Sequence, residues 1–199
     1  MAPANRFERR KERTRRDILR AAEQVLAKKG LHDAKVSDIA AAADIGVGTL
    51  YLHFRTKEAL TEAVVEDTVT RLKETVDRAR AGAPPGVEQV RASTHALCDF
   101  ARDNRAVFGV VFGPGGAYHD VVRRAQALFA ADIEQTLVDG VARGIFEVPS
   151  PALAAQALVG MSTQLLAWWT EHDTAPIDEI EATITNLTLR GVCRAGGGA

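Results

Sequence analysis

The chain has 199 residues, 46% hydrophobic and 26% charged, with two cysteines. These values exclude a disordered or disulfide-built chain and allow one or two globular domains with a real core. The net charge of −1 hides a split: residues 1–57 carry 13 Lys and Arg against 7 acids and the remainder 12 against 19, so a basic head precedes an acidic body.

Thr14-Arg15-Arg16-Asp17 reads as a helix start, with Ile18, Ala22, Val25 and Leu26 as its apolar stripe and Gly30 as its stop. A short second helix is predicted over 36–43 with Ile39, Ala40 and Ala43 inward, and a third over 47–54. Thr56 caps a fourth, from Lys57 to about Arg80, with Leu60, Val64, Val65, Val69, Leu72 and Val76 in helical register. Gly82-Ala83-Pro84-Pro85-Gly86 cannot continue it. Further helices are expected over about 88–103, 105–112, 119–142, 151–172 and 177–194, which makes an all-α chain of about nine helices.

Ala152 to Trp169 holds no charge over 18 residues, the length at which a membrane helix becomes a candidate. Five alanines, Gln156 and Gln164, and flanks without a basic anchor read instead as a helix buried on more than one side in a soluble assembly. No membrane partner is expected. The Arg-rich N-terminus has no apolar run after it, so it is not a secretory signal, and the sparse cysteines fit a reducing, cytoplasmic setting.

Two short helices joined by a tight turn, just after a basic helix, are the ingredients of a helix-turn-helix, whose second helix enters the major groove. Ala43 and Gly46 let the two backbones approach. Leu50 and Phe54 offer a back face for packing, Gly48 a close approach to phosphate, and Thr49 and Tyr51 hydroxyl donors. Residues 14–60 resemble the N-terminal domain of TetR/AcrR-type transcriptional regulators. The likeness is carried by Ile18-Leu19-x-Ala21-Ala22, Gly30, Val36-Ser37-Asp38-Ile39-Ala40, Gly48-Thr49-Leu50-Tyr51-x-His53-Phe54 and Lys57-Glu58-x-Leu60.

The resemblance implies a homodimer with a DNA-binding domain over 1–58 and an effector-binding and dimerisation domain over 59–199. It implies a regulator, not an enzyme, most readily a repressor released from an inverted-repeat operator in double-stranded DNA by a small amphipathic effector. By position, Ser37, Thr49, Tyr51 and Lys57 are expected at phosphate, Val47 and Gly48 near base edges, and His53 at either. The family's usual Gly, capping Ser and capping Thr are replaced by Asp44, Gly46 and Lys35, so α-helical caps are lost while Lys35 gains reach to phosphate as a point charge. The arm from Arg6 to Arg16 either tracks DNA or is disordered.

In the body, Phe100, Phe108, Phe112, Tyr118 and Phe129 are aromatics at helical spacing, which serve a core as readily as a ligand. The resemblance points to a pocket there, with His95, Gln126, Gln164 and Trp168 to orient an effector. Leu165, Trp169, Ile177, Ile180, Ile184 and Leu187 are expected at a four-helix dimer interface built by the last two helices. No cofactor or metal is expected: Gly113 to Gly116 lacks the Lys-Ser/Thr of a phosphate loop, and His119-Asp120 and His172-Asp173 lack a third ligand in register. A small helical enzyme or ligand-binding protein with a solubilising basic arm is the alternative.

Overall fold

The computed structural model describes residues 6–112, 119–172 and 174–193, without the side chains of residues 31–32, 110–112 and 119. Gly113 to Gly116, Tyr118, Asp173, the side chains of Phe112 and His119, and the glycine-rich C-terminus therefore lie outside the description. Among the described residues there are nine helices: α1 (Arg6–Asp33), α2 (Val36–Ala42), α3 (Val47–His53), α4 (Lys57–Ala81), α5 (Val87–Asp103), α6 (Arg105–Phe112), α7 (His119–Ala142), α8 (Pro151–Glu171) and α9 (Ile177–Val192). An antiparallel bridge between Phe146 and Cys193 is isolated and belongs to no strand.

The helix boundaries follow the sequence except at the start of α1, which begins two turns before Thr14. Arg, Lys and Glu are strong helix formers, and they carry the helix through the expected cap. Thr14 then donates its hydroxyl back to Arg10 O at 3.1 Å, the usual fate of a mid-helix threonine. The arm is thus helical from Arg6 on, which corrects the disordered reading. Gly30 does break the helix, at φ +74°, a conformation only glycine adopts freely.

The chain divides into two compact units, Met1–Thr68 and Val69–Ala199, so that α4 contributes to both. The first unit buries Ile18, Ala22, Leu26, Ile39, Leu50, Phe54, Leu60 and Val65. The second is built on Leu72, Cys98, Phe108, Leu166, Trp169, Ile180 and Ile184, with a smaller cluster of Leu137, Phe146 and Val192. Burial pushes the Cys98 thiol up to about 12, so it packs as a small apolar group and is no nucleophile. Ser150 caps α8, accepting from Leu153 N at 3.4 Å, with Pro151 in the first turn. Among the described residues no helix is long and apolar enough to cross a membrane.

Two contacts yield predictions. The Phe146 ring lies directly on Gly140 of α7, where an added Cβ would come within 2.1 Å of a ring carbon. Gly140→Ala is expected to destabilise the protein by about 1–3 kcal/mol, measured by chemical denaturation, because Phe146 is held in the core and cannot retreat. His95 of α5 places Nδ1 3.0 Å from Glu181 of α9 and Nε2 3.3 Å from Asp99. The Glu181 hydrogen bond and charge raise the imidazole above its ordinary 6.5. The pair's stabilisation is therefore complete below that value and lost as pH rises through the raised one. His95→Gln should lower the melting temperature at about pH 6 and leave it nearly unchanged at about pH 8.5.

Candidate functional site

In the first unit, α2 and α3 meet in a tight turn. Ala43 N donates to Ile39 O at 2.9 Å and Ile45 N to Ala40 O at 3.0 Å, and Gly46 precedes α3 without a side-chain cap. Asp44 holds the turn at φ +53°, the left-handed region that glycine adopts most easily. The cap that Lys35 lacks is partly restored from within α2, because Asp38 Oδ2 accepts from Lys35 N at 3.2 Å. Lys29 Nζ, 2.8 Å from the same oxygen, holds the Asp38 carboxyl below its usual range.

Leu50 and Phe54 seat α3, at 1% and 3% exposure, and the Arg15 guanidinium of α1 lies 4.4 Å over the Phe54 ring. Lys35, Ser37, Gly46, Val47, Gly48, Thr49 and Tyr51 are all exposed, and His53 and Lys57 are half-buried. Burial first, then Lys11 and Arg15, lowers the His53 pKa, so at neutral pH the imidazole is uncharged, a hydrogen-bonding group. Thr56 caps α4, accepting from Ala59 N at 3.0 Å. The sequence reading passed over Leu52, which is the most exposed large hydrophobic side chain of α3.

The second unit holds a cavity of about 180 Å³. One side of each surrounding helix lines it: Leu72, Val76 and Arg80 of α4, Val90 and Leu97 of α5, Phe108 of α6, Phe129 and Ile133 of α7, Leu158 and Ser162 of α8, and Ile184 of α9. A second, polar hollow of about 310 Å³ adjoins it, bounded by Arg143, Asp139 and Gly86, and shares Arg80, Gln89, Asp132 and Thr136 with the first. At this junction Lys73 bridges Asp77 of its own helix and Asp132 of α7, the latter at 2.6 Å, while Arg80 pairs with Asp77 at 2.9 Å. Burial alone would pull Lys73 down, but the hydrogen bonds to Asp132 and Asp77 outweigh it and the net shift is upward.

Of the expected effector residues, Phe108 and Gln126 line the cavity. Phe100 packs behind Phe108, ring centroids 6.3 Å apart, as part of the core. His95, Gln164 and Trp168 do not line the cavity: His95 is tied to Glu181 at the surface, Gln164 is exposed, and Trp168 stacks on His172 at 4.6 Å with 39% exposure. The residues expected at a dimer interface divide between the protomer's own core and its surface. Trp169, Ile180 and Ile184 are at most 5% exposed, consumed by the protomer's own core, and Leu165 and Ile177 pack against it. Leu187 remains exposed, together with Leu153 and Trp168 of α8. Arg80 was legible only as a register, since Leu72, Val76 and Arg80 repeat at four residues, and no pattern in the sequence marked Gln89 or Asp132.

Two family profiles match the chain: bacterial regulatory proteins, tetR family, over residues 18–64, and tetracyclin repressor-like, C-terminal domain, over residues 83–192. The chain belongs to the tetR family and is a helix-turn-helix DNA-binding transcription regulator. It is 22% identical over 166 residues to the uncharacterized HTH-type transcriptional regulator YhgD of Bacillus subtilis (strain 168), covering 81% of this chain and 86% of that one. Its fold is similar to that of the fatty acid degradation regulator FadR from Bacillus halodurans, with TM-score 0.77, 21% identity, and 88% and 94% of the two chains covered. It is also similar to that of FadR from Bacillus subtilis in complex with stearoyl-CoA, with TM-score 0.75, 19% identity, and 88% and 98% covered.

Asp44→Gly should raise stability by up to about 1 kcal/mol, seen as a higher melting temperature, because the side chain that makes positive φ costly is removed.

Proposed function

We propose that this regulator is a cytoplasmic homodimeric repressor, displaced from an inverted-repeat operator by an amphipathic effector with an acyl-like apolar chain. The observation that carries the DNA half is the exposed face of the head, where Lys35, Ser37, Thr49 and Tyr51 stand free of the core that Leu50 and Phe54 anchor. Ser37, Thr49, Tyr51, Lys35 and Lys57 take phosphate roles, Gly46 and Gly48 permit close approach, and Val47 lies near base edges. His53 contributes a hydrogen bond at either place. The helical, Arg-rich start of α1 adds phosphate charge.

The effector half rests on the apolar cavity with its adjoining polar hollow, which suits a molecule with an apolar tail and a polar head. The Bacillus subtilis FadR bound to stearoyl-CoA supports the same class. Communication runs along α4: Leu60, Val64 and Val65 belong to the head's core, and Leu72, Val76 and Arg80 to the cavity wall. A ligand that binds one position of α4 better than the other shifts the population of heads able to bind DNA. Leu153, Trp168 and Leu187 give α8 and α9 apolar surface for a second protomer. The tetracyclin repressor-like profile over the body favours repression.

The test is fluorescence anisotropy on a labelled duplex from the region flanking the coding sequence. Affinity should fall with salt at a log–log slope of about −0.9 per phosphate contacted. Tyr51→Phe should weaken binding to this duplex and to random DNA alike, by about 1 kcal/mol. Stearoyl-CoA should weaken wild-type binding, and sedimentation should give a dimer at micromolar concentration. No DNA binding at low salt would refute the regulator's proposed mode and leave the ligand-binding alternative; binding that ignores stearoyl-CoA would refute the effector class alone.

A further inference from the structure

Leu52 is 84% exposed, the most exposed large hydrophobic side chain among the described residues. It lies in the last turn of α3, one residue before its end. Leu50 and Phe54 define the side of this helix turned to the core, and at 3.6 residues per turn Leu52, two residues from each, falls diametrically opposite. Gly48 lies one turn earlier on the same outward side, and a Cβ there would meet nothing within 4 Å, so the surface in front of Leu52 is open. The outermost strip of α3 is thus a flat shoulder followed by one isobutyl group.

The rest of α3 narrows what that group can meet. Val47–His53 contains no Arg, Lys, Asn, Gln, Asp or Glu, the side chains that pair bidentately with guanine or adenine or accept from cytosine in the major groove, and its hydrogen-bonding side chains, Thr49, Tyr51 and His53, lie beside Leu52's strip and not on it. The one base feature that an aliphatic side chain reads there is the C5-methyl of thymine. A protein partner fits the surroundings poorly, since exposed Arg55 follows α3 directly and the head carries nearly twice as many cations as acids. Resting on the DNA-binding reading above, we infer that Leu52 is a specificity-determining residue that reads thymine methyl groups, so that each operator half-site is recognised through thymines.

The experiment selects duplexes from a random library with the full-length protein. It then measures the affinity of the selected duplex against copies in which single thymines are replaced by uracil, which deletes only the methyl. Wild-type protein should lose about fourfold in affinity at each contacted thymine. Leu52→Ala should bind random DNA as wild type does, melt at the same temperature, and be indifferent to uracil at one or more of those positions. Leu52→Met, which keeps an apolar contact, should retain the sensitivity. Wild-type selection with no uracil effect anywhere overturns the inference and leaves the regulator reading standing, as does a Leu52→Ala variant that keeps every uracil effect. A protein that selects no sequence overturns both.

Discussion

The seating of α3 by Leu50 and Phe54 is the constraint from which the head's surface follows. A seven-residue helix has too few backbone hydrogen bonds to hold itself, and α3 begins on a glycine with no side-chain cap. Its persistence depends on tertiary burial, supplied by two side chains four residues apart and by the Arg15 guanidinium over the Phe54 ring. Once those two positions are inside, helical geometry determines the direction of every other side chain on the element. The same burial keeps His53 neutral, because a half-buried imidazole between Lys11 and Arg15 gains nothing from a further positive charge.

The body solves a different problem. α8 is nearly uncharged, and its apolar residues are divided between three surroundings: Leu166 and Trp169 in the core, Leu158 and Val159 against the cavity, and Leu153 and Trp168 toward solvent. A helix with apolar residues on all sides has no single preferred orientation by hydrophobicity alone, so polar features fix it. Ser150 caps its start, and Arg105 donates to Trp169 O at 3.0 Å near its end. On the cavity's other wall the charged residues Lys73, Asp77, Arg80 and Asp132 compensate one another, which keeps a partly buried cluster neutral while tying α4 to α7.

Much of this was legible in the sequence because helix boundaries here are chemically marked: Gly30, the Pro-Pro run at 84–85, Ser150-Pro151 and Pro176 each end or begin a helix where the pattern places it. The motif residues of the head were legible for the same reason, since the spacing of Leu50 and Phe54 leaves their neighbours outward. Thr14 misled because capping is a local preference, and a run of strong helix formers ahead of it outweighed that preference. Trp169, Ile180 and Ile184 lie in the protomer's own core, a placement the sequence left open because an apolar stripe states only that a face is buried, not whether its own protomer or a second one covers it. The side-chain chemistry of His95 and Trp168 is visible in the sequence, but the rotation of their helices, which only packing determines, is not.

The bridge between Phe146 and Cys193, reinforced by Glu147 N donating to Val192 O at 2.8 Å, fastens the end of α9 to the turn after α7. Ile145 and Phe146 of that turn also bound the polar hollow. The protein thereby carries two thiols of opposite character. Cys98 is sealed in the core at 1% exposure, whereas Cys193 is half-buried and packed in the cluster that contains Phe146. Of the two, Cys193 is the less buried, and its bridge partner Phe146 bounds the hollow, so a label placed on this thiol would sit one residue pair away from whatever the hollow holds.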